Sequence, residues 1–417
     1  MFWRKKSNFK KNLQKDLPLI ILGLFLTLII RLLRPIISIR FARWGLGSRI
    51  GHLTSESDIY LAERKWNIRR NPLDKNKYLY YIPGQNTGSK PLIPNQYIFK
   101  QVKAHLPGLR YNRLISWADF FNAKLFDESS VKAFGPLGHI DQYIVTSRTP
   151  PPFRMSRKDS KKAQERMRLH GINESQPILL FFNRDSAYIK DYFKCDHDQI
   201  NDFRNSKISN YIPMAEYFAQ SGYTCIRMGL TTEEKLLEQP GRIIDLSGPA
   251  YDEFVEFYLF SISRFSVCDV TGLNVLPALF RKPRVLVNVV SLMTFYDSNY
   301  FQHMFNSLLI FKKHWCLDQK RILTASEIMA KGLAYATDSE DYRKKNVKLI
   351  NNTAEEIQEA ALEMHLKLNN QWEETEADLL LQHRFWKNLG VKRELQFESL
   401  YPKVGANFLR NNDWLLT

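Results

Sequence analysis

The chain has 417 residues, with 60 Lys and Arg against 43 Asp and Glu, a formal net charge of +17, and 44% hydrophobic and 25% charged residues. That length predicts two or three domains with ample core, and that composition excludes wholesale disorder. Eleven basic residues but only one acid, Asp16, fall within residues 1–50, so +10 of the +17 is a terminal block. A nucleic-acid binder spreads its basic surface over a folded face, so no nucleic-acid partner is expected.

Inside that block, residues 17–30 (LPLIILGLFLTLII) form the longest apolar run, with Lys10, Lys11 and Lys15 before it and Arg31 and Arg34 after it. As a helix it spans about 21 Å, short of a ~30 Å hydrocarbon core, although Lys15 and Arg31 can snorkel. No small-residue cleavage site follows, which argues against a signal peptide. Residues 1–34 are therefore expected to be a membrane-associated helix, either inserted or lying in plane on anionic lipid. Basic flanks on both sides leave the positive-inside rule without a preference.

Residues 35–155 are expected to form a first α/β lobe. A strand at 36–41 leads into a loop with Gly45, Gly47 and Gly51, then a helix capped by Ser55. A strand at 77–83 follows, then turns at Gly84, Gly88, Pro91 and Pro94, an ambiguous segment at 97–102 and a helix at 115–126. Three prolines at 150–152 interrupt the chain, and a basic helix at 157–169, opened by Ser156 and Asp159, is expected to bridge two lobes.

The second lobe, residues 156–337, opens with PILLFFNR at 177–184, the pattern of a strand buried on both faces. Helix, strand, strand, helix and strand follow at 209–222, 223–229, 242–248, 251–263 and 265–270. The loop TGLNVLPALF then leads to a strand at 284–290. This alternation predicts a parallel, doubly wound sheet. Residues 338–417 read as a charged, helical C-terminal extension. Cys195, Cys225, Cys268 and Cys316 form no CxxC pair, so neither a zinc site nor a disulfide framework is expected, and reduced thiols fit the cytoplasm.

Ligands of open α/β sheets sit beyond the carboxyl ends of the strands, which ranks the polar residues. Arg184 and Arg227 lie at two such ends, where a guanidinium fork suits phosphate oxygens. The turn Thr271-Gly272-Leu273-Asn274 opens a short helix whose N–H groups suit a diphosphate, such as that of a nucleotide-sugar. Asp185 either orients Arg184 or acts in catalysis. Asp245 and Asp269 are read as loop caps, and Ser206 or Asn210 as a helix cap. In the first lobe, Arg49, Gly51 and His52 follow the first strand, with His52 a general-base candidate. Asp196-His197-Asp198 is a D-x-D pattern that in metal-dependent sugar transfer holds a divalent cation, but the three-residue signal is weak. P-loop, nucleophile-elbow and zincin motifs are absent.

The runs FFNRDSAYIKDYF, DFRNSKISNYIPMAEYFAQSGYTCIRMG and VCDVTGLNVLPALFRKPRVLVN, together with IRFARWGLGSRIGHL, resemble a family of bacterial glycosyltransferases associated with surface-polysaccharide synthesis. The resemblance spans about residues 35–300. It implies a GT-B arrangement of two Rossmann-like lobes with the active site in the cleft between them, usually without an essential metal or other cofactor. Arg184, Asp185, Arg204, Asn205, Arg227, Gly229, Gly51 and His52 fall on its motif positions. Phe182-Asn183 stands where a His-Val pair is more usual. Asn183 is a far weaker base than histidine, which leaves the base assignment open between His52 and Asp185.

The expectation is a transferase moving a sugar from a nucleotide-sugar donor to a lipid-linked or glycan acceptor at the cytoplasmic face of the inner membrane. Donor contacts are expected from Arg184, Arg204, Asn205, Arg227, Gly229, Thr271, Gly272 and Asn274. A non-catalytic nucleotide-binding scaffold and a metal-dependent GT-A enzyme using Asp196 and Asp198 are the alternatives.

Overall fold

The computed structural model describes residues 2–44, 49–66, 77–82, 93–127, 131–132, 145–193, 201–236, 241–293, 306–390 and 402–417. The chain divides into two units, Met1–Arg154 and Met155–Thr417.

The first unit runs α1 (Phe2–Leu32), β1 (Ile39–Arg43), α2 (Ile50–Lys65), β2 (Lys77–Ile82), α3 (Gln96–His105), β3 (Arg110–Tyr111), α4 (Arg113–Phe126) and β4 (Val131–Lys132). Its four strands form a parallel sheet in the order β3-β2-β1-β4. Asn95 and Asn112 cap α3 and α4 by accepting the N–H groups of Ile98 and Ile115. The segment ambiguous in sequence is thus the helix α3. The expected cap at Ser55 is displaced: α2 already begins at Ile50, and the Ser55 hydroxyl donates to the Gly51 carbonyl at 2.7 Å. A serine one turn inside a helix can bond backward in this way, so its side chain does not by itself mark a start.

α1 lies along α4. Thr27 Oγ1 donates to the Ala118 carbonyl at 2.8 Å, and Arg31 Nε donates to Asn122 Oδ1 at 2.9 Å. Asp16 pairs with Arg113 and accepts from Trp117 Nε1 at 3.3 Å. Ile30 joins Phe41, Tyr81 and Ala118 in one buried cluster with Leu26, Ile39, Leu79 and Ile115 against it. The apolar segment therefore has partners inside its own unit. Among the described residues, no helix is long and apolar enough to cross a membrane.

The second unit begins with α5 (Arg157–Leu169), β5 (Ile178–Phe182), α6 (Ala187–Phe193), α7 (Ile212–Gln220), β6 (Thr224–Arg227), β7 (Ile243–Asp245) and α8 (Glu253–Ile262). It continues with β8 (Phe265–Asp269), α9 (Val275–Leu279), β9 (Arg284–Val289), β10 (Ser307–Phe311), β11 (Lys313–Cys316), β12 (Arg321–Ile322), α10 (Ala325–Ala330), α11 (Ser339–Lys344) and β13 (Val347–Ile350). It closes with α12 (Ala354–Leu368), α13 (Glu376–Asn388), β14 (Lys403–Val404) and α14 (Ala406–Asn411).

Seven parallel strands lie in the order β14-β10-β9-β8-β5-β6-β7. Counted from β5 this is 3-2-1-4-5-6 with one further edge strand, the doubly wound order in which the chain reverses direction between β5 and β8. All five side chains of β5 are buried, each contributing about 1.5–3 kcal/mol of transfer free energy. Cys225 and Cys268 are buried within β6 and β8, where burial pushes both thiols well above their usual range.

Ser156 caps α5, but α5 packs on α8 through Gln164 to the Tyr258 hydroxyl at 3.0 Å and Arg166 to Asp252 at 2.6 Å. It is a helix of the second unit, not a bridge. The C-terminal stretch is more than helical: β13 joins β11 and β12 in an antiparallel sheet, and β14 extends the main sheet beside β10. Short strands of four and two residues leave no periodic pattern for sequence to reveal.

Gly23 faces α4 so closely that a Cβ would sit 2.7 Å from Trp117 Cβ. Gly23→Ala is expected to lower Tm, because overpacking costs about 1–3 kcal/mol while the helix-propensity gain is at most about 1. A raised Tm in a thermal melt would show that α1 can shift away from α4.

Candidate functional site

The carboxyl ends of β5 and β8 meet at the point where strand order reverses, and Asp269 ends β8 there. Its Oδ2 accepts the Arg184 backbone N–H at 2.8 Å and the Ser206 hydroxyl at 2.6 Å. Its Oδ1 accepts the Tyr211 hydroxyl at 2.6 Å and Asn288 Nδ2 at 2.9 Å. Burial and the Asp269 charge push the Tyr211 phenol far up, so it remains a donor. Asn288, in the left-handed region at φ 52°, exchanges two backbone-to-side-chain hydrogen bonds with Asn352. Asp269 is therefore more than the loop cap read from sequence, because it joins three strand ends and the segment around 206–211.

Cations surround this carboxylate. Arg184 Nη1 donates to the Asn201 carbonyl at 3.0 Å and to Asn205 Oδ1, while Arg204 Nη2 donates to the Val270 carbonyl at 2.7 Å. Lys312, just past β10, donates to the Phe203 and Asn205 carbonyls at 3.0 and 2.7 Å. Burial, with further repulsion from Arg184 and Arg204, lowers the Lys312 ammonium to about 8 despite the attraction of Asp269. Three positive groups thus converge on one loop at a strand edge, each anchored to a main-chain carbonyl. Asn183 Nδ2 donates to the Ser206 carbonyl at 2.9 Å, so the residue in the unusual motif position braces the same loop.

A second group lies beyond β5, β6 and β7. Arg227 is fully buried, which lowers its guanidinium, and Nη1 reaches Asp245 at 3.3 Å while Nε and Nη2 have no partner among the described residues. Both oxygens of Asp185 accept main-chain N–H groups, from Ala187 at 3.0 Å and Glu233 at 2.9 Å, and desolvation raises its carboxyl. Asp185 does not orient Arg184 through its side chain. It ties the loop after β5 to the loop after β6. Gly229 sits at φ 156°, where a Cβ would come 3.2 Å from the Thr232 methyl.

Thr271 accepts the Leu273 N–H at 2.9 Å, and the helix that follows has five residues, so that turn already uses one of its donors. Asn274 is buried, with its carbonyl held by Arg284, and Gly272 is exposed. Asp196 and Asp198 lie outside the described residues. Among the described residues no group of three His, Cys, Asp or Glu side chains is placed to hold a metal.

In the first unit, Arg49, Gly51 and His52 lie at the start of α2. Gly51 and His52 are helical, and His52 Nδ1 meets Glu56 Oε1 at 2.6 Å, one turn on. Glu56 is nearly buried and His52 partly exposed. A carboxylate on Nδ1 selects the tautomer with Nε2 as the basic nitrogen, the arrangement a histidine base requires.

The fold brings Arg184, Arg204 and Asn205 together, sets Arg227 and Asp185 on neighbouring strand ends, and places Arg49, Gly51 and His52 in the other unit. Sequence reasoning missed Lys312 and Glu56. Lys312 directly follows the apolar run SLLIF, and the strand-end rule would have found it had that strand been read. Glu56 stands four residues after His52, the spacing of helix neighbours.

No protein-family model and no curated protein matches the sequence. Solved structures with a similar chain trace include a glycosyl transferase family 9 protein from Veillonella parvula, 11% identical over 79% of this chain and 97% of that one, TM-score 0.45. Another is E. coli ADP-heptose LPS heptosyltransferase II, 11% identical over 65% and 90%, TM-score 0.34. A third is the iron-containing heptosyltransferase TibC in complex with ADP-D-beta-D-heptose, 11% identical over 80% and 78%, TM-score 0.31. Such scores are too low to carry either fold or activity across.

Asp269→Ala removes the acceptor of four donors, three of them side-chain groups. Leaving buried partners unsatisfied is expected to cost about 3–5 kcal/mol. A urea midpoint within error of wild type would remove Asp269 from its organising position.

Proposed function

We propose that the chain is a glycosyltransferase that moves a sugar from a nucleotide-sugar donor to a membrane-held, lipid-linked or glycan acceptor in surface-polysaccharide synthesis, acting at the cytoplasmic face of the inner membrane. The supporting observation is the convergence of Arg184, Arg204 and Lys312 at the strand-order reversal of a seven-stranded parallel sheet. A diphosphate is the ligand whose charge relieves the mutual repulsion of those cations. Anchoring through main-chain carbonyls sets where the cations sit before the ligand arrives.

In this reading the leaving diphosphate departs with the electron pair of the bond to the anomeric carbon, and the three cations meet its charge. Arg227, Gly229 and the Thr271-Gly272-Asn274 turn shape the rest of the donor side. His52 Nε2 takes the proton of the attacking acceptor hydroxyl, with Glu56 holding the imidazole, and Arg49 and Gly51 line the acceptor side. Asp185 is assigned to loop shaping, since both its oxygens are committed to backbone. The reaction proposed uses no resident metal or other cofactor.

Arg184→Ala is expected to weaken nucleoside diphosphate binding about 10–100-fold by calorimetry. His52→Ala should leave that affinity unchanged while lowering kcat by about 10²-fold or more, assayed in EDTA with a donor panel that includes ADP-heptose. Unchanged affinity in the first variant, or unchanged turnover in the second, would refute the assigned roles.

Lys312 supplies a pH dependence. Its ammonium is charged below about 8 and neutral above, so diphosphate affinity should fall as pH rises from 7 to 9. In Lys312→Met that fall should disappear. A wild-type affinity flat across this range would place Lys312 outside the anion site.

A further inference from the structure

α1 and α4 place polar side chains at their contact and leave many of their large apolar side chains outside. On α1 the side facing the protein carries Asp16, Gly23 and Thr27 together with Ile30, whereas Leu17, Ile21, Phe25, Leu28 and Leu32 face outward; Ile21 and Phe25 are about 60% exposed and Leu32 80%. On α4, Asp119 and Asn122 are buried, and Phe120, Leu125 and Phe126 are exposed at 46, 55 and 41%. A helix on a water-facing surface shows the opposite pattern, and apolar surface continuing across two packed helices is a docking face.

We propose that α1 and α4 together form a surface that lies in the plane of an anionic lipid bilayer, with the large apolar side chains of both helices entering the acyl boundary. Charge selects the occupant. The first 50 residues carry eleven cations, and their single acid, Asp16, is already paired with Arg113. Anionic headgroups complement that excess. A second copy of this chain on the same face would set two +10 blocks against each other.

The in-plane orientation follows from the packing. Thr27 and Arg31 of α1 bond to α4, and Ala118 of α4 belongs to the cluster containing Phe41 and Tyr81. A spanning α1 would have to give up these bonds. The inference rests on the proposed function only for location, and its test requires no sugar transfer.

The test is flotation of the full chain with vesicles of phosphatidylglycerol and phosphatidylethanolamine, against phosphatidylcholine alone. The wild-type chain is expected to float with the anionic vesicles and to be released by salt. Phe25→Glu and Phe120→Glu are each expected to weaken partitioning about tenfold, since a charge there forfeits apolar insertion. Phe120→Ser, which adds no charge, should act in the same direction. Circular dichroism melts of the same samples report that each variant remains folded.

A wild-type chain that stays in solution would overturn the proposal. So would α4 variants that float as well as wild type, which would reduce the surface to α1 alone. A dimer in vesicle-free buffer that Phe25→Glu converts to monomer would assign the face to a second copy instead.

Discussion

A carboxyl group shut away from water needs hydrogen bonds in place of its hydration, and Asp269 has four donors. Those donors come from the loop after β5, from Ser206 and Tyr211, and from β9. One side chain therefore sets the relative positions of the strand ends at which the sheet reverses its order. Arg184 is held there by its own backbone N–H, and Lys312 by the carbonyls of the loop that Arg184 also touches. The cationic cluster is a consequence of this arrangement: each charge is anchored to main chain, and the anchors depend on Asp269. Buried, fully satisfied networks of this kind hold loops more rigidly than apolar packing does, because every member has a geometric requirement.

The same principle applies in reverse in the first unit. Asp16, Thr27, Arg31 and Asn122 are polar groups placed between α1 and α4, and large apolar residues are left outside. Polar contacts between helices are a device suited to surroundings that are themselves apolar, where hydrophobic burial offers no preference for helix against helix. Water on the outer face leaves that apolar surface without compensation; a lipid boundary removes the conflict. The His52–Glu56 pair on α2 is independent of this surface and depends only on helix spacing.

Much of the second unit was legible as pattern. The run at 178–182 is apolar at every position because both faces of a central parallel strand are covered, and the strand-end rule then pointed to Arg184 and Arg227 without knowledge of the ligand. The rule failed where the pattern was too short to see. β14 has two residues, and β13 lies between charged helical stretches, so the segment read as a helical extension also completes the sheet. Ser55 misled for a local reason, since a hydroxyl that can cap a helix can equally bond the carbonyl four residues back.

The sequence by itself determined which segments could be strand or helix, that the excess charge is a terminal block around an apolar run, and which arginines stand at strand ends. These are local properties, set by side-chain period and by chain position. Only the tertiary structure decided that Asp269 is a hub and not a cap, that Lys312 belongs with Arg184 and Arg204, that Asp185 is occupied by backbone, and that α1 turns its polar side inward to α4. Each of these depends on residues between 48 and 107 positions apart in the chain meeting in space. The physical reason is that burial and hydrogen bonding act over distances of a few ångströms, irrespective of sequence separation, and no local pattern encodes which distant groups will come within reach.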